Sequence, residues 1–412
     1  MMRRALFLLA AGQMLVAPAH GQPAAAETTP PDPVVTMRQH WLDADINAFT
    51  FRNSAQMFET RPVSRAGPVW ELPRGEGFTP PGYVFGGQRR TYADFAARTY
   101  TNAFLVIRDG KIVFEDYRNR STEADRFISF SIAKSITSLL IGIALEKGQI
   151  RSLDDRAGDY VPALKAGAYG DVTIRELLQM RSGVDYEERY DFGDKPSMAA
   201  LIHMNAIVLN KERFADRARA IGRAAAPGSR FNYATLDTAV LGWILERATK
   251  QPVAEFTTAN QWEPAGMEGD GFWIADGPPG AGRELTGMGF NARLRDFGRL
   301  GLLMLNDGMR GDRRILPAGW MRQATKMLPF PDDNALGLRG GYGFQFWQLD
   351  DEPGAYAAVG LAGQFIYVHP ESRTVIVKLS HFPQPEPAHV MRESFVYFHQ
   401  IVNGGQDARG SK

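Results

Sequence analysis

Ser131-Ile132-Ala133-Lys134 is the stretch whose residue types and spacing could do chemistry, and this Ser-x-x-Lys pattern occurs once in the chain. On a helix, positions three apart share a face, so the Lys134 amine can reach the Ser131 hydroxyl. The helix N-terminus also favours negative charge at that point. A serine hydroxyl is a weak nucleophile without a base beside it. A desolvated lysine can be neutral enough to take its proton. The geometry fits an activated serine nucleophile with Lys134 as its base, although four such letters also arise by chance in a chain of this length.

The pair needs a rigid support, and the surrounding residues offer one. From Ser131 the run predicts a helix ending at Gly148, a natural residue to follow a helix C-terminus. Ile132, Ile136, Leu139, Leu140, Ile141 and Ile143 place apolar groups on nearly every face, so the helix belongs inside a large core. Before it, residues 103–117 read as a hairpin, two β-rich runs around the turn pair Asp109-Gly110. Residues 149–335 read mainly as helices and loops. Thr173 is placed to cap a helix over 174–180, and 236–249 and 294–306 are amphipathic. Strands return at 342–349, 355–359, 365–368 and 374–381, and a last helix spans about 388–402. A short helix is expected near Met37 to Asp45, with an irregular segment over 61–92.

The simplest assembly is an α/β fold of the α+β type, with one antiparallel sheet flanked by helices. The sheet-containing part comprises 34–149 and 336–412, and 150–335 forms an inserted, mainly helical region. The Ser131 helix lies at the junction, where clefts form.

An acyl transfer also needs a proton path to the leaving group and donors for the oxyanion. Pro227-Gly-Ser-Arg-Phe-Asn-Tyr233 sets the Tyr233 phenol at a loop edge just before a helix, although a lone tyrosine has an ordinary packing role as well. In Val359-Gly-Leu-Ala-Gly363-Gln364, glycine lets backbone approach a ligand, so the Gln364 N–H is a candidate oxyanion donor, with Leu361 and Gly363 lining the site. An ordinary turn is the alternative. The loop 183–193 carries acids and aromatics, and its Tyr190 is a candidate rim residue if the loop is not simply solvated.

Composition closes off other classes. The 47 basic and 46 acidic side chains in 412 residues argue against nucleic acid and against a polybasic membrane anchor. The absence of cysteine removes disulfides and thiolate chemistry, and seven scattered histidines suggest no metal site. No cofactor is implied, and the expected partner is a small ester or amide. There is no Gly-x-Ser-x-Gly elbow. Residues 1–21 read as a signal peptide: Arg3-Arg4, a short apolar run from Ala5 to Val16, then a small-residue cleavage site at Ala17-Pro18-Ala19, with Ala19-His20-Gly21 as a second choice. Residues 22–33 read as a disordered linker. A periplasmic or secreted protein with no lasting anchor is expected.

Taken in order, these motifs resemble the penicillin-recognising serine hydrolases, in the branch of class C β-lactamases and esterases, and most of all the 6-aminohexanoate-dimer hydrolases and related carboxylesterases. The resemblance covers roughly Ala103 to Val402. It rests on Phe130 to Ser138, Ile174 to Gly183, Pro227 to Tyr233, Asn291 to Gly301, Arg314-Ile-Leu-Pro317, Tyr342-Gly-Phe and Gly363-Gln364. It implies Ser131 as the acylated nucleophile, Lys134 as its base and Tyr233 as proton relay, with Ser131 and Gln364 N–H groups as the oxyanion hole. Two departures stand out. The usual Tyr-x-Asn is Tyr233-Ala234-Thr235 here, while the literal matches at Tyr100-Thr-Asn102 and Tyr117-Arg-Asn119 read as structural. The usual cationic third motif is replaced by Leu361-Ala362-Gly363, which removes a carboxylate anchor and favours neutral esters or amides over β-lactams. The alternatives are a β-lactamase or D-amino-acid peptidase, or a cell-wall sensor that acylates without turnover.

Overall fold

The computed structural model describes residues 32–190, 194–330, 339–349 and 352–403. The expected signal segment, and the linker up to residue 31, lie outside that range. We label seven helices in chain order: α1 Pro33–His40, α2 Tyr92–Arg98, α3 Ile132–Glu146, α4 Ile174–Leu178, α5 Thr235–Thr249, α6 Leu294–Leu305 and α7 Val390–Val402. The strands of the two larger sheets are β1 Glu59–Val63, β2 Thr101–Arg108, β3 Lys111–Tyr117, β4 Phe127–Ile128, β5 Gly271–Ala275 and β6 Phe290–Ala292. They continue with β7 Leu328–Pro329, β8 Gly341–Tyr342, β9 Trp347–Gln348, β10 Tyr356–Gly360, β11 Gln364–His369 and β12 Thr374–Ser380.

The main sheet is antiparallel with order β7-β8-β9-β10-β11-β12-β2-β3. Its first hairpin turns where expected: Asp109 and Gly110 both have positive φ, the geometry that lets two residues reverse a twisted pair. Alternation along the central strands serves two layers. Phe104, Phe365 and Tyr367 meet Phe398 of α7, while Leu105, Ile107, Ile366 and Val375 meet α6. α6 can lie this close because Gly298 and Gly301 face the sheet; a Cβ on Gly301 would sit 2.4 Å from Val375 Cγ1. α3 packs against β10 and α5 and is buried from Ile132 to Ala144.

Three expectations are corrected. Asp32 and Pro33, read as linker, open α1: Asp32 accepts from the Val34 N–H at 2.8 Å and Pro33 takes the first turn. The region 150–335, expected to be mainly helices and loops, also carries strands, and the single expected sheet has a companion. β5 and β6 join β1 and β4 in a four-stranded sheet of order β1-β5-β6-β4, so this sheet interleaves residues from both expected parts of the chain. Gly271-Phe-Trp-Ile-Ala275 is buried on both faces, so it lacks the two-residue alternation that marks a half-exposed strand. Residues 342–349 do not form one strand; β8 and β9 pair with each other, Tyr342 opposite Trp347. Between them Gln345 takes φ +66° and turns inward. Its amide N donates to the carbonyls of Leu177 and Leu178, its Oε1 accepts from Thr238, and its own carbonyl accepts from Ser135. A polar residue that clamps α3, α4 and α5 together breaks the strand pattern for the benefit of the core.

Candidate active site

Ser131 stands immediately before α3, where the chain leaves β4 in a sharp turn. Ser129 N donates to the Phe290 carbonyl, which ties this turn to β6. Phe130 has φ +42°, a conformation that costs a non-glycine residue of order 1 kcal/mol or more. Its ring is buried against Trp41 and Phe51, with centroids 5.4 and 4.9 Å away, so packing offsets the strain. The consequence is that Ser131 is presented on a fixed corner.

Lys134, one turn into α3, is almost wholly buried. Its Nζ donates to Ser131 Oγ at 3.0 Å, Thr235 Oγ1 at 2.9 Å and the Gly287 carbonyl at 2.7 Å. Burial draws the amine down to about 8, with Glu188 pulling the other way. Roughly one molecule in ten is then unprotonated at pH 7, against fewer than one in a thousand for a free lysine. The Ser131–Lys134 pair read from the sequence is thus brought into contact.

Tyr233 precedes α5. Its ring lies 5.1 Å from Lys134 Nζ and its hydroxyl is within hydrogen-bonding reach of Ser131. Burial is the first cause pushing the phenol above its usual value, and the Glu188 charge adds to it, so Tyr233 keeps its proton at neutral pH. Trp347 and Tyr342 fix the ring, at 5.0 and 6.2 Å. The structure therefore brings together all three side chains assigned to the chemistry.

The Gln364 backbone N–H, the expected oxyanion donor, lies across a tight turn from Gly360. Gln364 begins β11, and its side-chain amide is turned into the 361–363 turn, donating to the Leu361, Ala362 and Ser380 carbonyls and accepting from Ser380 N. It braces the turn. The backbone that lies flush with Ser131 is Gly360, the last residue of β10: a Cβ there would come within 2.3 Å of the Ser129 carbonyl and 3.1 Å of Ser131 N. Gly363, taken as the close-approach glycine, instead accommodates the Phe382 ring, 2.3 Å from its absent Cβ, at φ +83°. The main-chain N–H next to Gly360 on the turn side is that of Leu361, whose side chain is 36% exposed. The two residues that run into Gly360 are Ala358 and Val359, again without a cation.

Tyr190 is 47% exposed, with its hydroxyl turned to Glu188 Oε1 at 2.6 Å. The literal Tyr-x-Asn matches are structural, as read: Asn119 Nδ2 donates to Asn102 Oδ1 and to the Thr101 carbonyl at the base of the first hairpin. Thr235, standing where the usual Asn would be, supplies the polar contact to Lys134 instead. Sequence reasoning missed Thr235, Glu188, the Gly287 carbonyl and Gly360. Only Thr235 had a signal, its place two residues after Tyr233.

A sequence model of the family described as Beta-lactamase matches residues 89–398. The 6-aminohexanoate-dimer hydrolase of Paenarthrobacter ureafaciens is 26% identical over 369 residues, covering 85% of this chain and 89% of that protein. A solved structure from Bacillus anthracis bearing the same hydrolase name superposes with a TM-score of 0.80 at 23% identity, over 92% of this chain and 98% of that one. A family VIII carboxylesterase shares the fold, with a TM-score of 0.57 at 18% identity, over 75% of this chain and 95% of the other.

Proposed function

This chain belongs to the Beta-lactamase family and is a hydrolase of it, and from that premise we propose an exported serine hydrolase that cleaves small neutral esters or amides through an acyl-enzyme on Ser131. The observation that carries this is the triple contact of the buried Lys134 amine, one arm of which is Ser131 Oγ at 3.0 Å. The substrate carbonyl sits between the N–H groups of Ser131 and Leu361, on the flat backbone that Gly360 allows. The unprotonated Lys134 takes the Ser131 proton as Oγ bonds to the carbonyl carbon. The tetrahedral intermediate collapses, and Tyr233 hands a proton to the departing alkoxide or amine while regaining one from Lys134. Water then attacks the Ser131 ester, releases the acid and restores the serine.

The test is mass spectrometry of protein quenched during turnover of a p-nitrophenyl ester. An acyl adduct on the peptide containing Ser131, with steady turnover after any burst, is expected. An adduct elsewhere would overturn the assignment, and a burst with no steady phase would favour a sensor. Intact masses of protein recovered outside the cytoplasm should begin after the Ala17-Pro18-Ala19 site, and a retained Met1 would sink the export proposal.

Neutral substrates are favoured because Ala358, Val359 and Leu361 offer no charge-assisted contact to a carboxylate. Such a contact is worth about 1.5–3 kcal/mol, or roughly 10- to 150-fold. Nitrocefin, which carries a carboxylate, should be turned over with a kcat/KM about 10- to 150-fold below that of a p-nitrophenyl ester. Comparable rates on the two would show that another cation does this work.

A further inference from the structure

Glu188 sits in the loop after α4, which looked from the sequence like a solvated rim. Its carboxylate grips the first residue of α5 with both oxygens: Thr235 N donates to Oε2 at 2.6 Å and Thr235 Oγ1 donates to Oε1 at 3.0 Å. Thr235 Oγ1 in turn accepts from Lys134 Nζ at 2.9 Å. We propose that Glu188 is a positioning residue for the reaction, acting through Thr235 to aim the lone pair of the Lys134 amine at Ser131. This role presupposes Lys134 as the base, as proposed above.

The reasoning is one of donors and acceptors. A threonine hydroxyl has one proton to give. An ionised carboxylate accepts only, so it claims that proton and leaves Thr235 Oγ1 able only to accept from Lys134. The Gly287 carbonyl, 2.7 Å from Nζ, is also an acceptor only. A neutral amine has two N–H bonds and one lone pair. With its two N–H bonds directed at Thr235 and Gly287, the lone pair is left for the third neighbour, Ser131 Oγ, at 3.0 Å. Without Glu188, the Thr235 hydroxyl could turn its proton onto the lone pair and compete with the nucleophile. Burial keeps the switch of partners costly, because Thr235 and Lys134 are both screened from water.

The carboxylate also supplies a counter-charge to the ammonium form. The groups around this pair are Tyr233 beside Lys134, Tyr186 and Tyr190 on the Glu188 loop, and Tyr169 and Asp237 on the α5 side. The phenols hold their protons at neutral pH. Asp237, lifted to about 7 chiefly by burial, is the other group that titrates in the working range.

Glu188→Gln tests the idea with little change of shape. The amide oxygen can still accept from Thr235 N, but its NH2 would now donate to Thr235 Oγ1 and turn the hydroxyl toward Lys134. On a p-nitrophenyl ester we expect kcat to fall about 10- to 100-fold with KM nearly unchanged, and the acid limb of kcat/KM to move down by about one pH unit as the counter-charge is lost. Thr235→Val should give a similar loss of kcat, and Thr235→Ser should restore it. The double variant should be no worse than Thr235→Val alone, because one group works through the other. Asp237→Asn should leave the limb in place. If Glu188→Gln keeps both kcat and the limb, or if the losses of the two variants multiply, the role is overturned. If instead Lys134→Met keeps the wild-type acid limb, it is the assignment of the base that fails.

Discussion

Ser131→Ala should lower kcat on a p-nitrophenyl ester by at least about 10⁴-fold and leave the fold standing. The side chain contributes little to stability, because Ser131 makes no capping bond to α3 and is only partly buried. The neighbouring serines cannot take over. Ser135 Oγ is buried and donates to the Gln345 carbonyl at 2.6 Å, and Ser129 Oγ is buried and donates to the Phe130 carbonyl. Neither faces an amine. Lys134 keeps two of its three acceptors, Thr235 and Gly287, so the charge is not orphaned. The thermal midpoint should shift by no more than a few degrees. Activity within tenfold of wild type, in a variant that melts normally, would place the nucleophile elsewhere and end the acyl-enzyme scheme.

The legible part of this protein was the part with a period or a pair. The apolar run over 132–145 forced a buried helix, and a lysine within it had to find partners, so Ser131 and Lys134 could be joined before any coordinates. Asp109-Gly110 gave a hairpin, because both residues tolerate positive φ. Tyr233 was legible as a phenol at the mouth of a helix. Elements without periodicity stayed hidden. β5 and β6 are short and buried on both faces, and Gln345 interrupts a strand to bond three helices. Glu188 had no signature, because the groups it holds beside Lys134 are a backbone N–H and a hydroxyl 47 residues away. Gly360 and Gly363 look alike in sequence. Only the positions of Ser129 and Phe382 show which glycine lies against Ser131 and which serves a turn.

Lys134→Met should cost about 10³- to 10⁴-fold in kcat and change the pH profile in kind. In the wild type kcat/KM should fall tenfold per unit below about pH 8, as the amine drawn down to that value becomes protonated. The Met variant should lack this limb. Stability should respond to the substitution in the opposite sense to activity. The amine titrates near 8 when folded and near 10.5 when unfolded, so between those values the unfolded chain binds more protons, and wild-type stability should rise with pH across that window. Below pH 8 the full penalty is present, of order 3 kcal/mol for a shift of this size. Methionine fills similar space without charge and escapes that penalty, although it leaves Thr235 Oγ1 and the Gly287 carbonyl without their donor. The variant should therefore be at least as stable as wild type at pH 7 and show a flat profile between 8 and 10.5. Urea denaturation at pH 7, 8.5 and 10 reads this directly. A structural lysine would behave the other way round, its loss destabilising the protein at every pH and sparing the catalytic limb.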